Sequence, residues 1–106
     1  MDIRQIMKQA QQMQQRMAQV QEELGKREIT AAVAGGQVSV TMTGKHEVVR
    51  IEIRPDAVDP ADVEFLQDLV AAAVNEAVRQ VDEMVQKEMS SLTGGLNLPG
   101  LPGMGG

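Results

Sequence analysis

Ile3, Ile6, Ala10, Met13, Met17, Val20 and Leu24 recur alternately three and four residues apart, with no Gly or Pro from Met1 to Leu24. That spacing sets them on one narrow stripe of a helix, which is the pattern of a coiled-coil seam. So narrow an apolar stripe needs a second helix to cover it, and this constrains the chain to pair. The helix is expected from about Asp2, an acidic residue suited to a helix N-terminus, to Leu24, just before Gly25, a natural stop. Its length would be about 34 Å.

The pattern then changes from a helical period to a period of two. Glu28 to Ala34 is a weak strand candidate and Gly35-Gly36 a turn. From Gln37 to Thr43, Val38, Val40 and Met42 alternate with Ser39, Thr41 and Thr43. After the turn at Gly44-Lys45, Glu47 to Arg54 gives a third strand, with Val49, Ile51 and Ile53 inward and Val48, Arg50, Glu52 and Arg54 outward. Such short turns predict an antiparallel meander with one buried face.

Pro55 ends the strands. Asp59 as N-cap and Pro60 at the first helical position open a second helix reaching about Ser90. Leu66, Val70, Ala73, Val74, Ala77, Val81, Met84 and Val85 share one face of it. At about 46 Å it would overhang a monomer whose expected radius of gyration is about 13 Å. A second copy of the chain is the simplest cover for the overhang. The expected dimer interface is therefore the stripe from Ile3 to Leu24 joined by Val81, Met84 and Val85. Residues 1–93 read as a single domain, and 94–106, which repeat Gly, Leu and Pro without period, as a disordered tail.

Composition narrows the chemistry. The chain has no cysteine, which excludes disulfides, thiolate metal sites and cysteine nucleophiles. His46 is the sole histidine and sits at a turn without a second ligand or a base partner. The adjacent acidic pairs Glu22–Glu23 and Asp82–Glu83 splay apart on a helix. Gly44-Lys45 lacks the glycine and Ser/Thr of a phosphate loop. No catalytic residue, metal site, cofactor or small-molecule substrate is expected, and no membrane span. A cytoplasmic location is the default.

The net charge of −5 argues against indiscriminate nucleic-acid binding. The charges are unevenly placed, however. Residues 1–21 hold Arg4, Lys8 and Arg16 against Asp2 alone, whereas Asp59 to Glu88 holds eight acidic residues against Arg79 and Lys87. Arg4, Lys8, Gln12 and Gln15 fall away from the apolar stripe and Arg16 flanks it. Such a surface either solubilises a coiled coil or hydrogen-bonds phosphates and base edges. With one aromatic residue, Phe65, there is no platform for stacked single-stranded bases.

Three segments carry a family resemblance: Gly35-Gly36-Gln37-Val38-Ser39-Val40-Thr41-Met42-Thr43-Gly44, Glu47 to Ile53, and Leu66-Gln67-Asp68-Leu69-Val70-Ala71-Ala72-Ala73-Val74-Asn75-Glu76-Ala77. Together with the order of elements, they make the chain resemble the YbaB/EbfC family of bacterial nucleoid-associated proteins. The resemblance implies an α+β chain of order α-β-β-β-α and an intertwined homodimer. Helices would project like tweezers from a central sheet. It also implies double-stranded DNA as partner and a nucleoid role in organisation or gene regulation, without catalysis. On charge and helix geometry, Arg4, Lys8 and Arg16 are the expected phosphate contacts, Gln12 and Gln15 the groove readers, and Arg79 and Lys87 auxiliary contacts. The competing reading is a protein-interaction module that uses the acidic second helix and the tail alongside recombination or replication proteins.

Overall fold

A computed structural model describes residues 2–94, in the order α1 (Ile3–Lys26), β1 (Glu28–Val33), β2 (Val38–Thr43), β3 (Val48–Ile53) and α2 (Val63–Gly94). The strands form one antiparallel sheet of order β1-β2-β3. This is the α+β meander flanked by two long helices that the sequence predicts. The expected disordered tail lies outside the described residues, apart from Gly94, which closes α2.

Asp2 caps α1 by accepting the Arg4 backbone N–H at 3.1 Å. The helix does not stop at Gly25. It runs one residue further, and Arg27 turns extended to enter β1, with its N–H returning to the Leu24 carbonyl at 3.1 Å. Between β1 and β2, a short 3-10 turn at Ala34–Gly36 takes positive φ at Ala34 (53°), Gly35 (66°) and Gly36 (90°). That handedness suits the two glycines and strains Ala34.

α2 lies across β1 and β2. Val38, Val40 and Met42 meet Ala31, Ala73, Ala77 and Val81 in a small aliphatic core, every member of which is essentially inaccessible. The alanines let the helix approach the sheet closely. On the opposite face, the buried Thr41 hydroxyl and that of Thr30 hydrogen-bond at 2.9 Å.

Several expectations need correction. α2 begins at Val63, not Pro60, and ends at Gly94 rather than Ser90. Asp59 instead forms a turn, its side chain accepting the Ala61 N–H at 2.9 Å, while Asp62 accepts the Phe65 N–H at 3.2 Å and caps the helix. The inward side of β3 is not buried. Ile51 and Ile53 stand opposite Val40 and Val38, yet they are 42% and 39% exposed, because α2 packs mainly over β1 and β2. A bulge at Thr41/Met42 places Val48 rather than Val49 opposite Met42, so the simple alternation fails there. Val81, expected at a dimer interface, is fully buried in the protomer's own core. Leu24, expected there too, is buried within the protomer.

The overhang is present. The chain is 71 Å long with a radius of gyration of 19.8 Å, well above the compact expectation of about 13 Å.

Candidate nucleic-acid interface

Among the described residues, the joint between α1 and the rest of the protomer lies near the helix's C-terminal end. There Gly44 donates its N–H to the Arg27 carbonyl at 3.0 Å. A Cβ on Gly44 would lie 1.9 Å from the Leu24 carbonyl oxygen. The helix end and the β2–β3 turn are thus in backbone contact, which only glycine permits. Arg27 adds a 2.9 Å ion pair to Glu88, clamping the exit of α1 to α2. Gln21, Leu24, Gly44, Lys45, Val85 and Met89 line the joint. From it α1 projects as an arm. Met13 and Val20 are half-buried, while Ile3, Ile6, Ala10 and Met17 remain exposed.

The predicted contact residues on the arm are all exposed: Arg4, Lys8, Gln12, Gln15 and Arg16. At about 100° per residue, Arg4, Lys8, Gln12 and Gln15 fall roughly opposite the apolar stripe and Arg16 beside it. Arg4 and Arg16 are about 18 Å apart along the axis. Among the described residues none of Arg4, Lys8 and Arg16 makes an ion pair. Asp2, the acidic residue nearest them, directs its carboxylate to the helix cap.

The cations of α2 differ. Arg79 is held by Glu76 and by Glu83, the latter at 2.8 Å. The Arg79 hydrogen bond, and then that of Gln80, lower the Glu76 carboxyl from its usual range to about 2. Reciprocally, Glu76 and then Glu83 raise the pKa of Arg79. This neutralisation was legible in the sequence, since Glu76 and Glu83 stand at i−3 and i+4 from Arg79. Lys87 is exposed and makes no ion pair among the described residues, beside a shallow groove that also holds Glu83 and Glu88. The structure therefore groups Arg4, Lys8 and Arg16 with the glutamines of α1 and leaves Arg79 out of that set.

Sequence reasoning missed two features. The Arg27–Glu88 clamp joins residues 61 apart and leaves no local signal. His46 is not simply solvated: its Nε2 lies 2.8 Å from Asp82 on α2. The turn that carries it adopts φ 64° at His46.

A small sheet backed by one helix, with a second helix projecting as an arm whose charges from Ile3 to Gln21 are all cationic, is an α+β fold that presents an extended surface. No helix among the described residues is long and apolar enough to cross a membrane. The profile of the YbaB/EbfC DNA-binding family matches residues 1–96, and the chain belongs to that family. It is similar to a nucleoid-associated protein of Desulforamulus reducens, 57% identical over 96 residues, covering 91% of each chain. It is also similar to one of Alkaliphilus metalliredigens, 54% identical over 96 residues, covering 91% of this chain and 84% of that one. The crystal structure of an uncharacterized protein from Helicobacter pylori has the same fold, with a TM-score of 0.74 at 25% identity, covering 87% of this chain and 97% of that one.

Proposed function

We propose that the chain acts as a non-enzymatic, homodimeric DNA-binding protein of the nucleoid, contributing to nucleoid organisation or gene regulation. Duplex contact is made by the outward face of α1. The observation that carries this reading is the set Arg4, Lys8 and Arg16, exposed and without ion pairs among the described residues, on an arm of a protein whose net charge is −5. The acidic balance sits mainly on α2, so of the two helices the arm is the one that attracts phosphate more strongly. Gln12 and Gln15, between the cations, can reach base edges or phosphates. Lys87 is an auxiliary contact. Arg79, neutralised by two glutamates, contributes little.

The apolar surface that one protomer leaves open supports the homodimer. Ile3, Ile6 and Met17 on the arm and Ile51 and Ile53 on β3 are all exposed. Two arms in one particle compensate for a small number of cations on each, because the second contact becomes intramolecular. The test is fluorescence anisotropy with a labelled duplex at low salt. The wild-type dimer is expected to bind, and the Arg4→Ala/Lys8→Ala/Arg16→Ala variant to lose most of that binding while keeping its helicity. A purified dimer that ignores duplex at low salt overturns the reading in favour of an interaction module.

A further inference from the structure

The joint at the end of α1 sets the direction of the arm, and a small turn there is a large displacement at the cations. Arg4 lies about 34 Å before Arg27 along the helix axis. A swing of about 10° at the joint moves Arg4 by about 6 Å, nearly two base-pair steps of about 3.4 Å. The direction of the arm therefore decides which phosphates Arg4, Lys8 and Arg16 can reach together. Two contacts join α1 to the β2–β3 turn. Gly44 donates its N–H to the Arg27 carbonyl at 3.0 Å, and Lys45 lays its side chain over Gly25, where a Cβ would stand 2.6 Å from Cε. The turn is tied to α2 in its own right, through His46 Nε2 at 2.8 Å from Asp82. The Arg27 guanidinium donates to Glu88 at 2.9 Å and so ties the exit of α1 to α2 directly, without passing through the turn.

Resting on the duplex-binding reading above, we propose that Arg27 and Glu88 are positioning residues for DNA binding: their ion pair holds the arm at the angle from which Arg4, Lys8 and Arg16 meet the duplex. Arg27 is basic and exposed, yet it is not a phosphate contact in this arrangement. Its guanidinium is committed to Glu88, and it stands at the root of the arm rather than along it. The two side chains are 54% and 45% exposed, so the pair adds little to the stability of the fold. A weak tie is still enough to bias a long arm between directions. Apparent affinity scales with the fraction of molecules already in the binding-competent arrangement, and the pair raises that fraction.

Charge alone predicts the opposite behaviour for Glu88. It is a carboxylate on a chain of net charge −5, so its removal should strengthen the attraction for phosphate. A positioning role predicts that its removal weakens binding, because the arm is then free to leave the productive angle. For Arg27 the two readings differ in salt dependence. A phosphate contact contributes to the slope of log affinity against log salt, and a residue that only aims the arm does not.

The experiment uses the full chain with Glu88→Ala, Arg27→Ala and the exchange Arg27→Glu/Glu88→Arg, each titrated against a labelled duplex by fluorescence anisotropy across a salt series. Glu64→Ala, an equal loss of charge in the first turn of α2, controls for charge alone. Glu88→Ala is expected to bind about two- to threefold more weakly per arm, hence about fivefold for a two-armed particle, with the wild-type salt slope. Arg27→Ala should lose about as much, also at the wild-type slope, whereas loss of a phosphate contact would flatten the slope by about 0.9 per protomer. The exchange rebuilds the pair with its sign reversed and should recover the affinity to within about twofold of wild type. Glu64→Ala should bind as tightly as wild type or slightly more so, and helicity should be unchanged across the set. If wild type binds duplex and Glu88→Ala binds as tightly or more tightly, or the exchange fails to recover affinity, the positioning role is overturned and the DNA-binding arm stands. A wild type that ignores duplex overturns the arm reading and this role with it.

Discussion

Replacing Gly44 with Ala should unseat the arm. A Cβ at this position lies 1.9 Å from the Leu24 carbonyl oxygen and 2.6 Å from its carbon, and both atoms are backbone. No rotamer relieves that overlap, so the β2–β3 turn and the last turn of α1 must separate. Separation breaks the Gly44–Arg27 hydrogen bond, which contributes about 1 kcal/mol. It also exposes Leu24, whose burial contributes about 2 kcal/mol. The expected cost is about 3 kcal/mol, a drop of about 1–3 M in the urea midpoint at fixed protein concentration. Gly25 supplies the internal control. A Cβ there meets only the flexible Lys45 side chain, nearest at 2.6 Å from its Cε, and Gly25 lies inside α1. Gly25→Ala should therefore be neutral or stabilising by up to about 1 kcal/mol. Hydrogen exchange locates the effect, since Gly44→Ala should strip protection from residues 20–27 even where the global midpoint moves little. A Gly44→Ala protein with an unchanged midpoint and unchanged protection in that segment refutes the backbone contact.

Other outcomes follow from the same geometry. Asp62→Ala removes the α2 cap and should cost about 1 kcal/mol in urea denaturation; an unchanged midpoint would return the helix start to Pro60. The Glu76 carboxyl is held at about 2 in the folded chain, against 4.5 ordinarily, so the stabilisation it provides is complete above about 4.5 and is lost as pH falls towards 2. Glu76→Gln should flatten that stretch of the acid titration of helicity, and a profile identical to wild type would contradict the pairing. Arg79→Ala should leave duplex affinity within about twofold of wild type, since surface cations already paired have little charge to offer. A loss comparable to that of the arm variants would put α2 in the interface.

The elements were legible because their periods are unambiguous. The three-and-four spacing of α1 and the Val38-Val40-Met42 alternation each allow one reading, and the buried core confirms the second. What the sequence left open is where neighbours run out. The pattern Val49, Ile51, Ile53 says apolar, not covered, and cover depends on how far α2 reaches across the sheet. Val81 looked like overhang because its helix is long, but the overhang begins further along. Asp59 and Asp62 are both competent caps, and choosing between them depends on the turn that Asp59 makes with Ala61 and Asp62. In the candidate site, the position of Arg4, Lys8 and Arg16 came from helix geometry alone. The neutralisation of Arg79 is readable from local spacing, with Glu76 three residues before it and Glu83 four after.

Whether the arm's cations meet phosphate is measured most directly by the salt dependence of duplex binding. Each phosphate neutralised contributes about 0.9 to the slope of log affinity against log salt. If Arg4, Lys8 and Arg16 all contact the duplex from both protomers, replacing the three with Ala should flatten the wild-type slope by about 5. A triple variant that binds with the wild-type slope contradicts the central claim and places the DNA contact elsewhere on the molecule.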